Sequence, residues 1–223
     1  MQFCFKKKRM KKMWFIVALV VFALSGAQAQ DAKAGGILDA MSKKYKVMKA
    51  FVADFSYNEV SASGKSGRIR TGSIAVKGVK FKLNMVGQEI YNDGSEIYSF
   101  VKETNEVNVT TYDSSEDSQF SPSNIYSIYK EGYKYSFSGE KSISGKAHEI
   151  VELVPMNNAS NISKLVLTID KRTKTIRNWK IIDSSGKSTV FNIVRFVPNA
   201  NLLEGYFTFD SSKHPGVEIV DLR

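Results

Sequence analysis

Beyond residue 50 the hydrophobic pattern of the chain switches to a period of two and keeps it almost to the end. Phe51, Ala53, Phe55 and Tyr57 fall on one side of an extended backbone, and Val52, Asp54, Ser56 and Asn58 on the other. Successive side chains of a strand point to opposite faces, so such a run suits a half-buried β-strand. The alternation returns at Ile74/Val76, Phe81/Leu83/Met85, Tyr98/Phe100, Val107/Val109, Tyr133/Tyr135/Phe137, Val151/Leu153, Leu165/Leu167/Ile169, Arg177/Trp179/Ile181, Phe191/Ile193, Phe207/Phe209 and Val217/Ile219. Turn-forming stretches lie between the runs: Lys77-Gly78, Asn92-Asp93-Gly94, Ser138-Gly139, Asp170-Lys171-Arg172 and Asp183-Ser184-Ser185-Gly186. Short alternating runs at intervals of about 8–12 residues predict an antiparallel sandwich or barrel.

Two stretches break the pattern. Ile37, Leu38, Met41, Tyr45 and Met48 are spaced for one face of a helix, which predicts an amphipathic helix over residues 37–48. Asp113 to Asn124 is polar, and Ser121 there can cap a helix with Pro122 at its first position, where a missing N–H is harmless. Ile125, Ile128 and Tyr129 then supply a short apolar stripe. A brief mid-chain helix is expected, either as a plug at one end of the sheet or as a mobile lid over a cavity.

The start of the chain reads as an address. Six basic residues between Lys6 and Lys12 precede an apolar run from Trp14 to Leu24, and Ala27-Gln28-Ala29 follows. This is the plan of a cleavable signal peptide with an A-x-A site. The run is too short for a transmembrane helix, which needs about 20 residues. Residues 1–29 are therefore expected to be removed, leaving 30–223 as one exported domain. The leader holds the only cysteine, Cys4, well before the cleavage site. A mature chain without cysteine has no disulfide, no thiol chemistry and no lipid of its own. The leader also holds six of the 32 basic residues, and with 22 acidic ones the net charge falls from +10 to about +4. That modest excess argues against a nucleic-acid surface.

Catalytic signatures are missing. There is no G-x-S-x-G, H-E-x-x-H, C-x-x-C or P-loop pattern. His148 and His214 stand apart, and the carboxylates are scattered. General acid–base work needs positioned groups with tuned pKa values, and no cluster suggests them. Neither an enzyme, a metal nor a cofactor is expected.

Several local patterns, in order, resemble the periplasmic outer-membrane lipoprotein carrier (LolA-type) family. Phe51-Val52-Ala53-Asp54-Phe55 is similar to that family's first strand. Gly72 to Lys77 followed by Lys80 to Leu83 resembles its second hairpin, and Asn92-Asp93-Gly94 through Phe100 its next one. Val151 to Pro155 and the stretches Tyr206–Phe209 and His214–Asp221 resemble its later strands and its close. The resemblance implies a mainly β fold with a few helices: an incomplete, curved antiparallel half-barrel with a helical lid. It implies a monomer that takes acylated lipoproteins from a releasing transporter in the inner membrane and hands them to an outer-membrane acceptor. Carried over by position, Phe51, Phe55, Phe81, Leu83, Tyr98 and Phe100 would line the acyl-chain cavity, with Met85 joining by alternation. Ile125, Ile128 and Tyr129 would form the lid. Gly78-Val79 stand where better-known members carry an Arg-Pro whose arginine latches the lid, so Arg68, Arg70 or Lys80 are candidate replacements. The chain also ends soon after the last motif, so an extra C-terminal element found in some members is expected to be missing. The alternative is an exported lipid-binding sensor or regulatory module of the same half-barrel class.

Overall fold

A computed structural model describes residues 25–113, 124–130, 132–156 and 161–223. Among these residues one α-helix, α1 (Ser25–Lys46), precedes twelve strands. These are β1 (Phe51–Val60), β2 (Arg70–Lys77), β3 (Lys80–Met85), β4 (Gln88–Asn92), β5 (Glu96–Val101) and β6 (Glu106–Thr111), then β7 (Tyr133–Ile143), β8 (Lys146–Pro155), β9 (Ile162–Asp170), β10 (Ile176–Asp183), β11 (Ser188–Pro198) and β12 (Glu218–Asp221). All twelve belong to one sheet in the order β12-β6-β5-β4-β3-β2-β1-β11-β10-β9-β8-β7. The end strands β12 and β7 do not pair, so the sheet stays open as a half-barrel. Every ladder is antiparallel except β6–β12, which is parallel. The difference from the expected all-antiparallel sheet follows from connectivity. The chain leaves β11 in the middle of the sheet and travels along it to the edge before pairing.

The period-two residues lie where alternation puts them. Phe51, Ala53, Phe55 and Tyr57 of β1 are buried on the concave face, and the residues between them are only partly covered. Gly72 of β2 stands directly opposite Phe55. A Cβ there would come within 2.6 Å of the Phe55 ring and 2.7 Å of the Asn84 carbonyl, so the glycine makes room for the ring and the neighbouring strand. The β2–β3 turn uses Gly78 at φ 62°, a left-handed conformation that costs glycine little.

α1 lies against the concave face and packs along β7. It buries Ala34, Ile37, Leu38, Met41 and Tyr45, which recur at helical spacing. It starts twelve residues earlier than the apolar stripe predicts and stops two residues sooner. Residues 25–34 offer alanines, which favour helix, but few large apolar groups to reveal it by periodicity. Lys43, Lys44 and Lys46 occupy its last turn.

The mid-chain helix is reduced to a 3-10 turn, Ile128–Lys130, after a turn at residues 124–127. Ser121 and Pro122 lie outside the described residues. The connection from β6 to β7 runs from the strand next to one edge of the sheet to the opposite edge strand. The Phe207/Phe209 alternation is not a strand either. Glu204–Phe207 is a 3-10 turn on β3, within a segment that crosses the convex face. Conversely, the expected list lacks β4. Its faces mix Gln88, Ile90 and Asn92 with Glu89 and Tyr91, so no apolar alternation marks it.

Candidate functional site

The concave face and its cover enclose a cavity of about 110 Å³. β1 contributes Phe51, Ala53 and Phe55 to its wall, β2 Ile74, and β3 Leu83 and Met85. Ile176 and Trp179 come from β10, and Phe191, Ile193 and Phe196 from β11. Tyr45 of α1 and Ile125 complete the cover.

Two irregularities in the sheet aim this wall. The β1–β11 register shifts between Asp54 and Phe55, so Phe196 stands opposite Ala53 while Ile193 stands opposite Phe55. The extra residue lets Phe191, Ile193 and Phe196 all face inward, which strict alternation forbids. A shift in the β10 ladder between Ile176 and Asn178 does the same for Ile176 and Trp179. The aromatic rings brace one another. Trp179 stacks on Phe191 at 4.6 Å and 9°, and Phe55 meets Phe191 edge-on at 5.8 Å. At the other end Phe51 meets Tyr45 edge-on at 5.4 Å and Phe196 at 5.5 Å.

Among the described residues the wall carries no charge, and its only titratable group is Tyr45, whose hydroxyl accepts the Ile176 N–H at 3.1 Å. Burial pushes that phenol far above its usual pKa, so it stays neutral. The Trp179 Nε1–H is buried without a hydrogen-bond partner. Among the described residues no group of His, Cys, Asp or Glu could hold a metal. Such a lining offers non-directional burial and no positioned acid, base or nucleophile.

The cover is held from above. Tyr126 stacks on Tyr45 at 5.2 Å and 6°. Tyr129 donates a 2.6 Å hydrogen bond to Asp39 of α1, and burial followed by that bond raises the Tyr129 phenol pKa, keeping it a donor. The Gly78-Val79 turn supplies no cation to this region. Of the three candidate replacements, Lys80 pairs with Glu204 at 2.8 Å and Arg70 lies 3.9 Å from Glu59, and exposed Arg68 has no ion pair among the described residues.

Of the residues singled out by sequence, Phe51, Phe55, Leu83, Met85 and Ile125 meet at the cavity. Phe81, Ile128 and Tyr129 belong to the same buried cluster but do not line it. Tyr98 and Phe100 are not brought there. The ladders run Lys82–Tyr91–Tyr98–Val109, and Asn84–Glu89–Phe100–Val107. Paired residues share a face, so both side chains stand on the opposite side of the sheet from Leu83. There they pack on Phe209, and Phe100 also on His214 at 4.3 Å. Sequence reasoning missed the β10 and β11 wall as a site, although it recognised those runs as strands. The density of aromatics at Trp179, Phe191 and Phe196 was the available signal.

The family model described as "Outer membrane lipoprotein carrier protein LolA" matches residues 23–184. No curated protein matches the sequence. An uncharacterized conserved protein from Thermus thermophilus shares the fold at a TM-score of 0.58 with 12% identity, over 85% of this chain and 99% of that one. A DUF1329 family protein from Desulfovibrio piger aligns at 0.47 with 13% identity, over 83% and 99% of the two chains. A LolA superfamily protein from Nitrosomonas europaea aligns at 0.42 with 11% identity, over 79% and 97%.

Proposed function

The chain belongs to the outer membrane lipoprotein carrier family, and on that footing we propose that it binds the acyl chains of lipoproteins on its concave face and carries them from the inner to the outer membrane. The observation that carries this reading is the wholly apolar, aromatic-braced cavity under a cover of α1 and residues 124–130. Exposing an acyl chain to water costs about 0.8 kcal/mol per CH₂, so a lipoprotein crosses an aqueous space only when shielded. A binding protein for such cargo needs area and shape, not catalytic groups. The proposed partners are acylated lipoproteins, a releasing transporter in the inner membrane and an outer-membrane acceptor.

The cavity must grow to do this. A cavity of about 150 Å³ holds one benzene, and this one measures about 110 Å³. An acyl chain therefore enters only after the cover moves, and Ile125, Tyr126 and Tyr45 are the side chains in the way. In this reading residues 124–130 are the lid, with Tyr129 and Asp39 as the latch that the turn at Gly78-Val79 does not provide. Residues 1–29 act as the export leader.

Protein purified from the cell envelope, mixed with spheroplasts, should release lipoproteins into the medium and should displace a fluorescent acyl probe. Folded protein that does neither refutes the reading. Probe binding without release identifies the regulatory alternative.

A further inference from the structure

We infer that the last turns of α1 and the β9–β10 turn form a docking surface for an anionic phospholipid bilayer. Ala40, Lys43 and Lys44 of α1 and Val47 just past its last residue face Arg172, Thr173 and Lys174 across an open groove of about 550 Å³. The sequence around it is one-signed. From Ala40 to Ala53 there are four lysines and no acidic residue. Lys174 is paired with Glu149 at 2.8 Å, and the neighbouring Lys171 with Glu140. Lys43, Lys44 and Arg172 have no ion-pair partner among the described residues.

The helix dipole explains part of this, because cations stabilise a helix C-terminus within its last turn. It does not explain an unpaired arginine on a separate turn facing the same groove. Nor does it explain Val47, which sits among these charges with 70% of its surface exposed. Basic side chains flanking an exposed apolar one at the end of an amphipathic helix match the chemistry of an anionic bilayer: charge attraction at the headgroups with a small apolar foothold. The position is also apt. Tyr45 lies between Lys44 and Lys46 on the same turn, lines the cavity and stacks on Tyr126. A bilayer held at the lysines lies beside the cavity cover. The inference goes beyond the carrier reading, since it rests on surface charge and not on what the cavity holds.

Vesicle co-sedimentation of the protein purified from the envelope tests it. Binding is expected to phosphatidylglycerol-containing vesicles and not to pure phosphatidylcholine, and it should fall steeply between low and high salt. Lys43→Gln with Lys44→Gln should weaken it about 25-fold, about fivefold per lysine. Removing the same charge on β7, with Lys134→Gln and Lys141→Gln, should leave it within about twofold. Acyl-probe binding by the Lys43/Lys44 variant should match that of the unaltered protein, which separates failure of docking from failure of the cavity. Equal binding to both vesicle types, equal loss in the β7 control, or no vesicle binding at all would overturn the inference. The last result would leave an acidic protein partner as the occupant.

Discussion

Both faces of the sheet carry aromatic clusters, and they are closed in different ways. On the concave side the cover is α1 and residues 124–130, held mainly by apolar contact, with the Tyr45–Ile176 hydrogen bond and Lys33, over the Phe137 ring and 3.4 Å from Glu140, as attachments to the sheet, and the Tyr129–Asp39 bond joining the two parts of the cover. On the convex side Tyr91, Tyr98 and Phe100 are capped by Phe209, with His214 stacked on Phe209 at 4.8 Å. That strap is fixed along its length. Glu204 binds Lys77 and Lys80 at 2.5 and 2.8 Å, Asn105 donates to the Pro215 carbonyl, and β12 completes a ladder with β6. In the carrier reading the concave face is the one that is uncovered and the convex face stays shut, and the kind of closure, not aromatic content, sets them apart.

The sharpest way to break the comparison is a charge on the concave wall. Leu83→Glu places a carboxylate in an apolar lining with no cation beside it, and acyl-probe affinity should fall about a hundredfold or more. Unchanged affinity in a folded variant would remove Leu83 from the binding surface. Phe100→Ala asks the converse question of the convex face. It should cost about 3 kcal/mol or more in denaturant unfolding, as large-to-small changes at buried phenylalanines do. Acyl affinity of its folded fraction should not change, and a large drop would mean that the two faces are coupled.

Smaller effects separate the closures further. Tyr129→Phe removes the hydroxyl bonded to Asp39 and should weaken the concave cover by about 1 kcal/mol. Stopped-flow mixing should show acyl-probe entry about fivefold faster, and an unchanged rate would exclude that bond as a latch. The convex strap should respond instead to acid. Lys77 and Lys80 hold the Glu204 carboxyl down at about 2, below its ordinary value near 4.5. A lowered folded pKa gives a contribution that is complete above the unfolded value and is lost as pH falls toward about 2. Protection factors of backbone amides in residues 199–217, corrected for the intrinsic pH dependence of exchange, should therefore fall slightly between pH 5 and pH 2, with a smaller change at α1, where Lys33 lies 3.4 Å from the Glu140 carboxylate. Equal loosening of both covers would erase the distinction.

Much of this was legible in the sequence, and the rest was hidden for identifiable reasons. Period two marks strands because a half-buried sheet needs it, and β1 follows it residue by residue. The same pattern says that Tyr98 and Phe100 share a face without saying which face. Only the ladder through Tyr91 and Lys82 decides that, and it sets them opposite Leu83. Phe196 was hidden by the shift at Asp54/Phe55, because a bulge breaks the parity on which the reading depends. The convex strap was misread as a strand because Phe207 and Phe209 alternate, although Phe207 is buried from a 3-10 turn. The lysines of α1 were visible from the start, but their shared groove with Arg172 depends on how the helix meets a turn far along the chain.

The connection between β6 and β7 has a kinetic meaning. Residues 124–130 sit within the connection between β6, one strand in from one edge of the open sheet, and β7 at the other edge. In the carrier reading they lift from the cavity, and they would then stay at a fixed effective concentration above it, set by their covalent attachment and not by the amount of protein. Anything entering the cavity therefore competes with an occupant that never diffuses away, and its apparent affinity is lowered by a constant factor. On departure, resealing is a unimolecular step. The rate at which the empty face is hidden from water is then the same in dilute solution and in a crowded compartment.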